Sequence, residues 1–167
     1  MAIVLWCGAS PRPMTRYVAL LRAVNVGGKN LVAMAALRAL LLAEKWTEPQ
    51  TLLQSGNVIF AGPARATAAI EKAREAAIEQ RLGVACDVFV RTAAQWAAMT
   101  ANNPFAEEAR RDPGHLVALL LKAPATAAQL ASVRRAIVGN ERVELAGRDA
   151  YVVYPDGIGR SKLTTAV

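Results

Sequence analysis

The chain of 167 residues has few of the residue types that most often carry chemistry. It contains two cysteines (Cys7 and Cys86), one histidine (His115) and only 5% aromatic residues. The cysteines lie far apart, with no CxxC spacing and no histidine companions, which argues against a disulfide framework and against a zinc site. We therefore predict no metal, no cofactor and a reduced, cytoplasmic location.

Several sequence signatures are also absent. No apolar run reaches the length of a membrane span, so we predict no membrane partner. The P-loop, Rossmann and GxSxG patterns do not occur. No carboxylate, histidine or cysteine combination has catalytic spacing, so we predict binding and leave catalysis open.

The first 13 residues form a segment of their own. Residues 2–6 are apolar, but they are too few for a signal peptide, and Pro11 and Pro13 follow. We interpret residues 1–13 as an N-terminal extension, and the alternative is an edge strand at residues 3–6.

The chain carries a clear excess of positive charge. Lys and Arg number 20 against 13 Asp and Glu, which gives a net charge of +7 and a pI near 10.0. This excess favours an anionic partner such as a phosphate or a nucleic acid, and the alternative is a solvated basic surface.

Apolar periodicity predicts an α+β protein whose first half has the order βαββαβ. The predicted elements are a strand at 16–23, a helix at 34–45, short strands at 51–54 and 58–61, a helix at 66–82 and a strand at 87–91. This is the ferredoxin-like, split βαβ arrangement, an antiparallel sheet with two helices on one face.

The second half begins the same pattern again as βαββ and stops. It has a helix at 92–100 with Thr92 as N-cap, a charged loop at 107–114, a strand at 115–122, a helix at 126–137 and paired strands at 142–145 and 150–154. We predict an extension at residues 1–13, a ferredoxin-like domain at 14–100 and a second, incomplete α+β half at 101–167, truncated at its C-terminus.

A glycine-rich basic turn follows the first strand and is the first candidate binding motif. Its candidate ligand-binding residues are Arg22, Asn25, Gly27, Gly28 and Lys29. Adjacent glycines let backbone amides approach an anion closely, and the two cations add charge. The alternative is that the glycines only make a tight turn while Asn25 caps backbone groups.

The second candidate motif is the turn between the two short strands. Ser55 and Asn57 offer donors and acceptors, and Gly56 between them leaves room for a ligand. The alternative, which the residues favour, is a hairpin turn with the asparagine in a left-handed conformation.

The third candidate motif, residues 157–162, follows the last strand. Arg160, Ser161 and Lys162 stand beside two glycines in a segment that resembles a strand-to-helix turn. Cations and a hydroxyl at a helix N-terminus suit phosphate capture. The alternative is a solvated basic loop in which Ser161 is an N-cap.

These motifs, together with residues 103–105, resemble the signatures of the bacterial domain-of-unknown-function 1697 family. The resemblance runs from about Thr15 to Val167 and implies a compact cytosolic α+β protein without an established activity. Two departures are visible: Ala23 stands where the family has glycine, and the chain ends at Val167, where members continue with a further helix.

We expect a small anionic or phosphorylated ligand to bind where the first and third motifs form the walls of one site. One alternative is a nucleic-acid-binding module, since the ferredoxin-like sheet is the scaffold of RRM domains, although the RNP1 pattern is absent. The other is a structural or interaction module without a ligand. The sequence does not specify the ligand or the oligomeric state.

Overall fold

A computed structural model describes residues 14–163 of the chain. The segment interpreted as an extension, residues 1–13, and the alternative strand at 3–6 lie outside the described residues. The chain divides between Ala93 and Ala94 into an N-terminal unit and a C-terminal unit. Both units combine helices with an antiparallel sheet, so the predicted α+β class is confirmed.

The N-terminal unit follows the predicted order of strands and helices. Its elements are β1 (Met14–Leu21), α1 (Met34–Ala43), β2 (Thr47–Leu52), β3 (Asn57–Pro63), α2 (Thr67–Leu82) and β4 (Val88–Thr92). The strands lie in the order β2-β3-β1-β4, and every neighbouring pair is antiparallel. Strand β1 is therefore central, and the turn that follows it emerges from the middle of the sheet.

One hydrophobic core lies between this sheet and its two helices. Strand alternation buries Tyr17, Ala19 and Leu21 of β1 on one face. Helix α1 contributes Leu37 and helix α2 contributes Ile78, each no more than 2% exposed, to the same cluster. Burial of Tyr17, Ala19 and Leu21 fixes the register of β1 and therefore the point at which the chain leaves the sheet.

The outer edge of β4 is closed by side chains. Glu71 Oε1 accepts from the Val90 amide at 2.8 Å, and Glu75 Oε1 accepts from the Val88 amide at 2.9 Å. Arg91 donates to the Val90 carbonyl at 3.0 Å, and its guanidinium lies 3.7 Å from Glu71. Buried charges thus satisfy backbone groups that would otherwise need another strand.

The C-terminal unit has the order βαββ after two short helices. Its elements are α3 (Ala93–Ala101) at the unit boundary, α4 (Ala106–Arg111), β5 (Leu116–Leu120), α5 (Ala127–Ala136), β6 (Arg142–Ala146) and β7 (Asp149–Val153). The strands lie in the order β5-β7-β6, again antiparallel. Single 3-10 turns occupy Pro113–His115 and Ile158–Arg160.

Both faces of the second sheet are covered. Val143 and Val152 face a core that includes side chains of α5, and Tyr151 and Val153 face the other side. Phe105, 8% exposed, packs on that side against Tyr151 and Val153. The Tyr151 hydroxyl donates to the Met99 carbonyl of α3 at 2.7 Å.

The second strand differs from its prediction. It covers Thr47–Leu52 instead of 51–54 and includes Pro49, which lies outside the predicted strand. Proline has no backbone N–H to donate to a neighbouring strand. It is tolerated here because β2 is an edge strand whose register shifts between Thr47 and Gln50.

Thr92 ends β4 and directly precedes α3, so it stands at the N-cap position predicted for it. One prediction near the unit boundary is wrong. The segment predicted as a charged loop contains α4, with acidic residues in its first turn and arginines in its last. That order of charges complements the helix dipole, so the sequence could have predicted a helix here.

Candidate functional site

The glycine-rich turn after β1 is a tight hairpin. Gly27 and Gly28 have φ angles of 57° and 73°, as in a type I′ turn, and the Lys29 amide donates to the Val26 carbonyl at 3.1 Å. A Cβ on either glycine would meet no atom within 4 Å, so backbone conformation alone requires them. The tight turn weighed as the alternative is therefore present, and anion binding by its amides stays a prediction.

The Asn25 side chain holds this hairpin to the rest of the unit. Its Nδ2 donates to the Val32 carbonyl at 2.9 Å and to the Gln54 carbonyl at 2.7 Å, and its Oδ1 accepts from the Val32 amide at 2.8 Å. Both amide hydrogens are thus used by the backbone. This accords with the capping role and leaves ligand contact to other side chains of the turn.

The second motif packs directly against the first. A Cβ on Gly56 would fall 2.5 Å from Val24 Cγ2 and 2.9 Å from Leu21 Cβ, and the φ of 79° also requires glycine. Ser55 Oγ donates to the Leu52 carbonyl at 3.4 Å within the turn. The two motifs therefore form one structure at one end of the sheet.

Left-handed backbone is concentrated in these two turns. Ala23, Asn25, Asn30 and Leu53 have φ angles of 57°, 56°, 49° and 56°. Asparagine tolerates this region, whereas for alanine or leucine it costs about 1–2 kcal/mol. Ala23 is the position where the resemblance predicts glycine, and its positive φ is the physical reason for that glycine.

The cations of the first motif are solvent-exposed. Arg22 lies 3.9 Å from Asp87, with 68% of its side chain exposed, so this ion pair contributes little stability. Among residues 14–163 the Lys29 side chain has no ion pair or hydrogen bond. Asn57 is half-buried at the start of β3. The assignment of these residues to ligand binding stays a prediction.

The third motif does not begin a helix in the described part of the chain. Gly157 has a φ of 84° and precedes a single 3-10 turn, Ile158–Arg160. This 3-10 turn ends at Arg160, and the strand-to-helix turn expected here stays a prediction. Ser161 Oγ accepts from the Leu163 amide at 3.0 Å, which is the kind of bond that an N-cap makes.

This loop borders a cleft of about 210 Å³ in the C-terminal unit. The cleft is lined by Val138, Gly139, Glu141, Tyr154, Pro155, Asp156, Gly157 and all three predicted residues, Arg160, Ser161 and Lys162. The structure therefore brings the third motif to one concave surface.

Glu141 is the best-held charged group of the cleft. Its carboxylate accepts from Ser161 Oγ and, at 3.1 Å, from the Gly139 amide. The Ser161 bond, followed by backbone hydrogen bonds, lowers the pKa of Glu141 below its ordinary 4.5. Burial, with a smaller contribution from Glu141, raises the pKa of Tyr154. The cleft thus presents an ionised carboxylate and a neutral phenol at pH 7.

Arg160 and Lys162 supply the positive charge of the cleft. Both are exposed, and within residues 14–163 neither side chain has an ion pair or a hydrogen bond. Asp156 is exposed on the same lining. The formal charges of the cleft therefore balance, with Arg160 and Lys162 against Glu141 and Asp156.

The single histidine lies beside the same loop. His115 Nδ1 is 2.6 Å from Asp112 Oδ2, because the intervening 3-10 turn brings residues three apart onto one side. A Cβ on Gly157 would lie 3.8 Å from His115 Nε2. Asp112 precedes His115 by three residues in the sequence, and the structure shows that it orients the imidazole next to the cleft loop.

Two other kinds of site find no support in the described residues. No group of three or more His, Cys, Asp or Glu side chains within residues 14–163 could hold a metal ion. None of the helices in this part of the chain combines the length and apolar character needed to cross a bilayer.

The two central strands of the N-terminal sheet, β1 and β3, do not present exposed aromatic side chains as an RRM does. Tyr17 and Phe60, on the central strands, are 0% and 1% exposed. Their rings stack with centroids 5.5 Å apart, and the Trp46 ring packs edge-on against both. Bases could not stack on rings that are buried beneath the helices.

Comparison with known proteins places the fold and the family. The chain is similar to the solved structure of the conserved bacterial protein SP0830 from Streptococcus pneumoniae, with 22% identity and a TM-score of 0.71 over 89% of this chain and 83% of that one. This likeness supports the fold alone. No curated protein matches the chain significantly. The family profile described as Protein of unknown function (DUF1697) matches residues 14–151, and the chain belongs to that family.

Proposed function

We propose that the protein binds a small anionic ligand in the cleft of the C-terminal unit, with Arg160 and Lys162 as anchors. The observation that carries this proposal is that both cations lie on a concave surface without partners among residues 14–163. Exposed cations with unused donors attract phosphate or carboxylate groups, and an arginine can hold either one with two parallel hydrogen bonds.

The carboxylates of the cleft narrow the class of ligand. Glu141 is ionised at pH 7 and is held in place by hydrogen bonds from Ser161 and Gly139, and Asp156 adds a second negative charge. A bare polyanion would be repelled by both groups. The cleft suits a ligand that joins one anionic group to hydroxyl or amine donors, as a sugar phosphate or a nucleotide does.

The first motif lies in the N-terminal unit, and its residues do not line this cleft. Arg22 and Lys29 keep exposed charges there, and Ser55 and Asn57 lie on the adjoining turn. Asn25, Gly27 and Gly28 hold that turn in shape.

The test is a titration with inorganic phosphate, glucose 6-phosphate and AMP, followed by amide chemical shifts of the full chain. The double variant Arg160→Gln/Lys162→Gln should weaken binding about tenfold or more, as expected for loss of charged hydrogen bonds. The matched control Arg111→Gln/Arg135→Gln removes the same charge from other exposed positions and should change affinity about twofold or less. Equal losses in both variants would show charge attraction without a site, and no shifts at residues 139–162 would refute the proposal.

A further inference from the structure

A cluster of exposed aliphatic side chains lies at the end of the N-terminal unit where its two turns meet. Val26, Leu31, Leu52 and Leu53 are 66%, 68%, 63% and 76% exposed. We call these four residues the aliphatic cluster. Exposed patches of this kind, bordered by polar residues, mark interaction surfaces more often than single exposed leucines do.

One carboxamide brings the cluster together. Asn25 is bonded to the backbone of Val32 and to the carbonyl of Gln54. Val26, Leu31 and Leu53 are each the immediate chain neighbour of one of these three residues. Three residues of the aliphatic cluster therefore flank one hydrogen-bonded junction, and Leu52 directly precedes Leu53.

The backbone of the cluster is held in an unfavourable conformation. Leu53 has a φ of 56°, a region that leucine rarely adopts, and this residue is the most exposed of the four. No burial of its own side chain offsets that conformation. Such outliers persist when the surrounding structure enforces them, and they gather at binding and switch regions.

A groove without acidic residues adjoins the cluster. It is lined by Ala33, Met34, Ala35, Arg38, Thr51, Leu53 and Gln54 and has an open volume of about 580 Å³. Arg38 donates to Thr51 Oγ1 at 2.5 Å and keeps its charge in the groove. Arg22 and Lys29 lie in the same turn as Val26. An apolar surface bordered by cations complements a segment that is both aliphatic and acidic.

We propose that the aliphatic cluster and its groove form a docking surface for a partner protein segment in which aliphatic residues stand between aspartates or glutamates. A second copy of this chain fits less well, since symmetric pairing would set Arg22, Lys29 and Arg38 against their own copies in a protein of net charge +7. This surface shares no residue with the cleft of the C-terminal unit, so the two proposals fail independently.

The experiment selects a phage-displayed library of random dodecapeptides on the full chain and measures the affinity of the selected peptides by fluorescence anisotropy. Wild type should enrich peptides with paired aliphatic residues flanked by acidic ones. Leu53→Asn and Lys29→Glu should each weaken those peptides about tenfold. The controls Leu42→Gln and Lys72→Glu alter an exposed leucine and an exposed lysine on the helices of the same unit, and they should change affinity about twofold or less.

Leu53→Asn keeps the test independent of folding, because asparagine accepts the left-handed backbone better than leucine does. The proposal is overturned if no peptide is enriched, if the enriched peptides are basic, or if they bind Leu53→Asn as well as wild type. It is also overturned if sedimentation equilibrium shows a wild-type dimer that Leu53→Asn abolishes, which would assign the surface to a second copy. Flotation with phosphatidylserine vesicles that is lost in Leu53→Asn would assign it to a membrane instead.

Discussion

The segments β1-α1-β2-β3 and β5-α5-β6-β7 have the same order of elements and the same strand neighbours. In the first, β3 lies between β2 and β1, and in the second, β7 lies between β6 and β5. The two segments differ in how their elements are connected. The connection from β1 to α1 covers residues 22–33, whereas the one from β5 to α5 covers only 121–126.

The connections of the C-terminal unit are short and use common capping and turn motifs. Helix α5 begins with a capping box between Thr126 and Gln129, and β6 and β7 are joined by Gly147 and Arg148. Helix α1 has no side-chain cap, and its preceding connection contains three non-glycine residues with positive φ. The same order of elements is thus joined by ordinary turns in the C-terminal unit and by turns with positive φ at non-glycine residues in the N-terminal unit. Since binding residues gather in loops on a rigid scaffold, these positive-φ turns are where we expect specialised function.

Alanine substitutions at Gly56 and Gly147, one in the hairpin of each unit, should show how much stability each loses through steric clash and how much through positive φ alone. Gly56→Ala places a Cβ 2.5 Å from Val24 Cγ2 at a φ of 79°, so we expect a loss of about 3 kcal/mol in the free energy of unfolding. Gly147→Ala meets no atom within 4 Å at a φ of 62°, and it should cost only about 1 kcal/mol. Urea unfolding followed by circular dichroism measures both. Equal losses would mean that the first hairpin is no more tightly packed than the second.

Glycine at position 23 should relieve part of the strain. Ala23→Gly removes the Cβ from a residue with a φ of 57° and should stabilise the protein by about 1 kcal/mol. Ala39→Gly, at an exposed position inside α1, should have the opposite sign and cost about 1 kcal/mol. Thermal unfolding compares the two. A loss of stability in both variants would show that the left-handed backbone at residue 23 is not a source of strain.

Acid should loosen the loop of the C-terminal unit and spare that of the N-terminal unit. The Gly139 amide donates to the Glu141 carboxylate, whose folded pKa is below 4.5, so this contact stabilises the protein above that value and weakens as the pH falls through the folded pKa. The Val32 amide donates to the neutral Asn25 carboxamide, which does not titrate. Amide-exchange protection should therefore fall in acid at Gly139 and hold at Val32.

The variant Ser161→Ala tests the cause of the lowered pKa of Glu141. Ser161→Ala removes the hydrogen bond that contributes most to lowering the pKa of Glu141, so this pKa should rise toward 4.5 in a carboxyl carbon NMR titration. An unchanged titration would contradict the assigned cause.

Periodicity was enough to predict most of the fold. The stripe of Tyr17, Ala19 and Leu21 and the helical spacing of Leu37 and Leu41 have a single physical solution, a sheet covered by amphipathic helices. Strand β2 was misplaced because Pro49 usually ends a strand, and sequence alone does not say that this strand lies at an edge with a bulge.

The sites were less predictable than the fold. The glycines marked the turns correctly, since their positive φ angles follow from residue type. The left-handed conformations of Ala23 and Leu53 were not predictable from residue type, because alanine and leucine rarely adopt them. The dual role of the Asn25 carboxamide and the contact between Asp112 and His115 depend on where the chain returns in space.

The closed edge of β4 has a consequence for assembly. With the Val88 and Val90 amides bound to carboxylates and the Val90 carbonyl bound to Arg91, that strand offers no free ladder to a swapped arm, a pilus-like donor strand or a growing fibril. The closure depends on the acceptor oxygens of two glutamates, and deleting both side chains would expose the ladder. Glu71→Ala together with Glu75→Ala is therefore a change that would make β4 prone to pair with another strand.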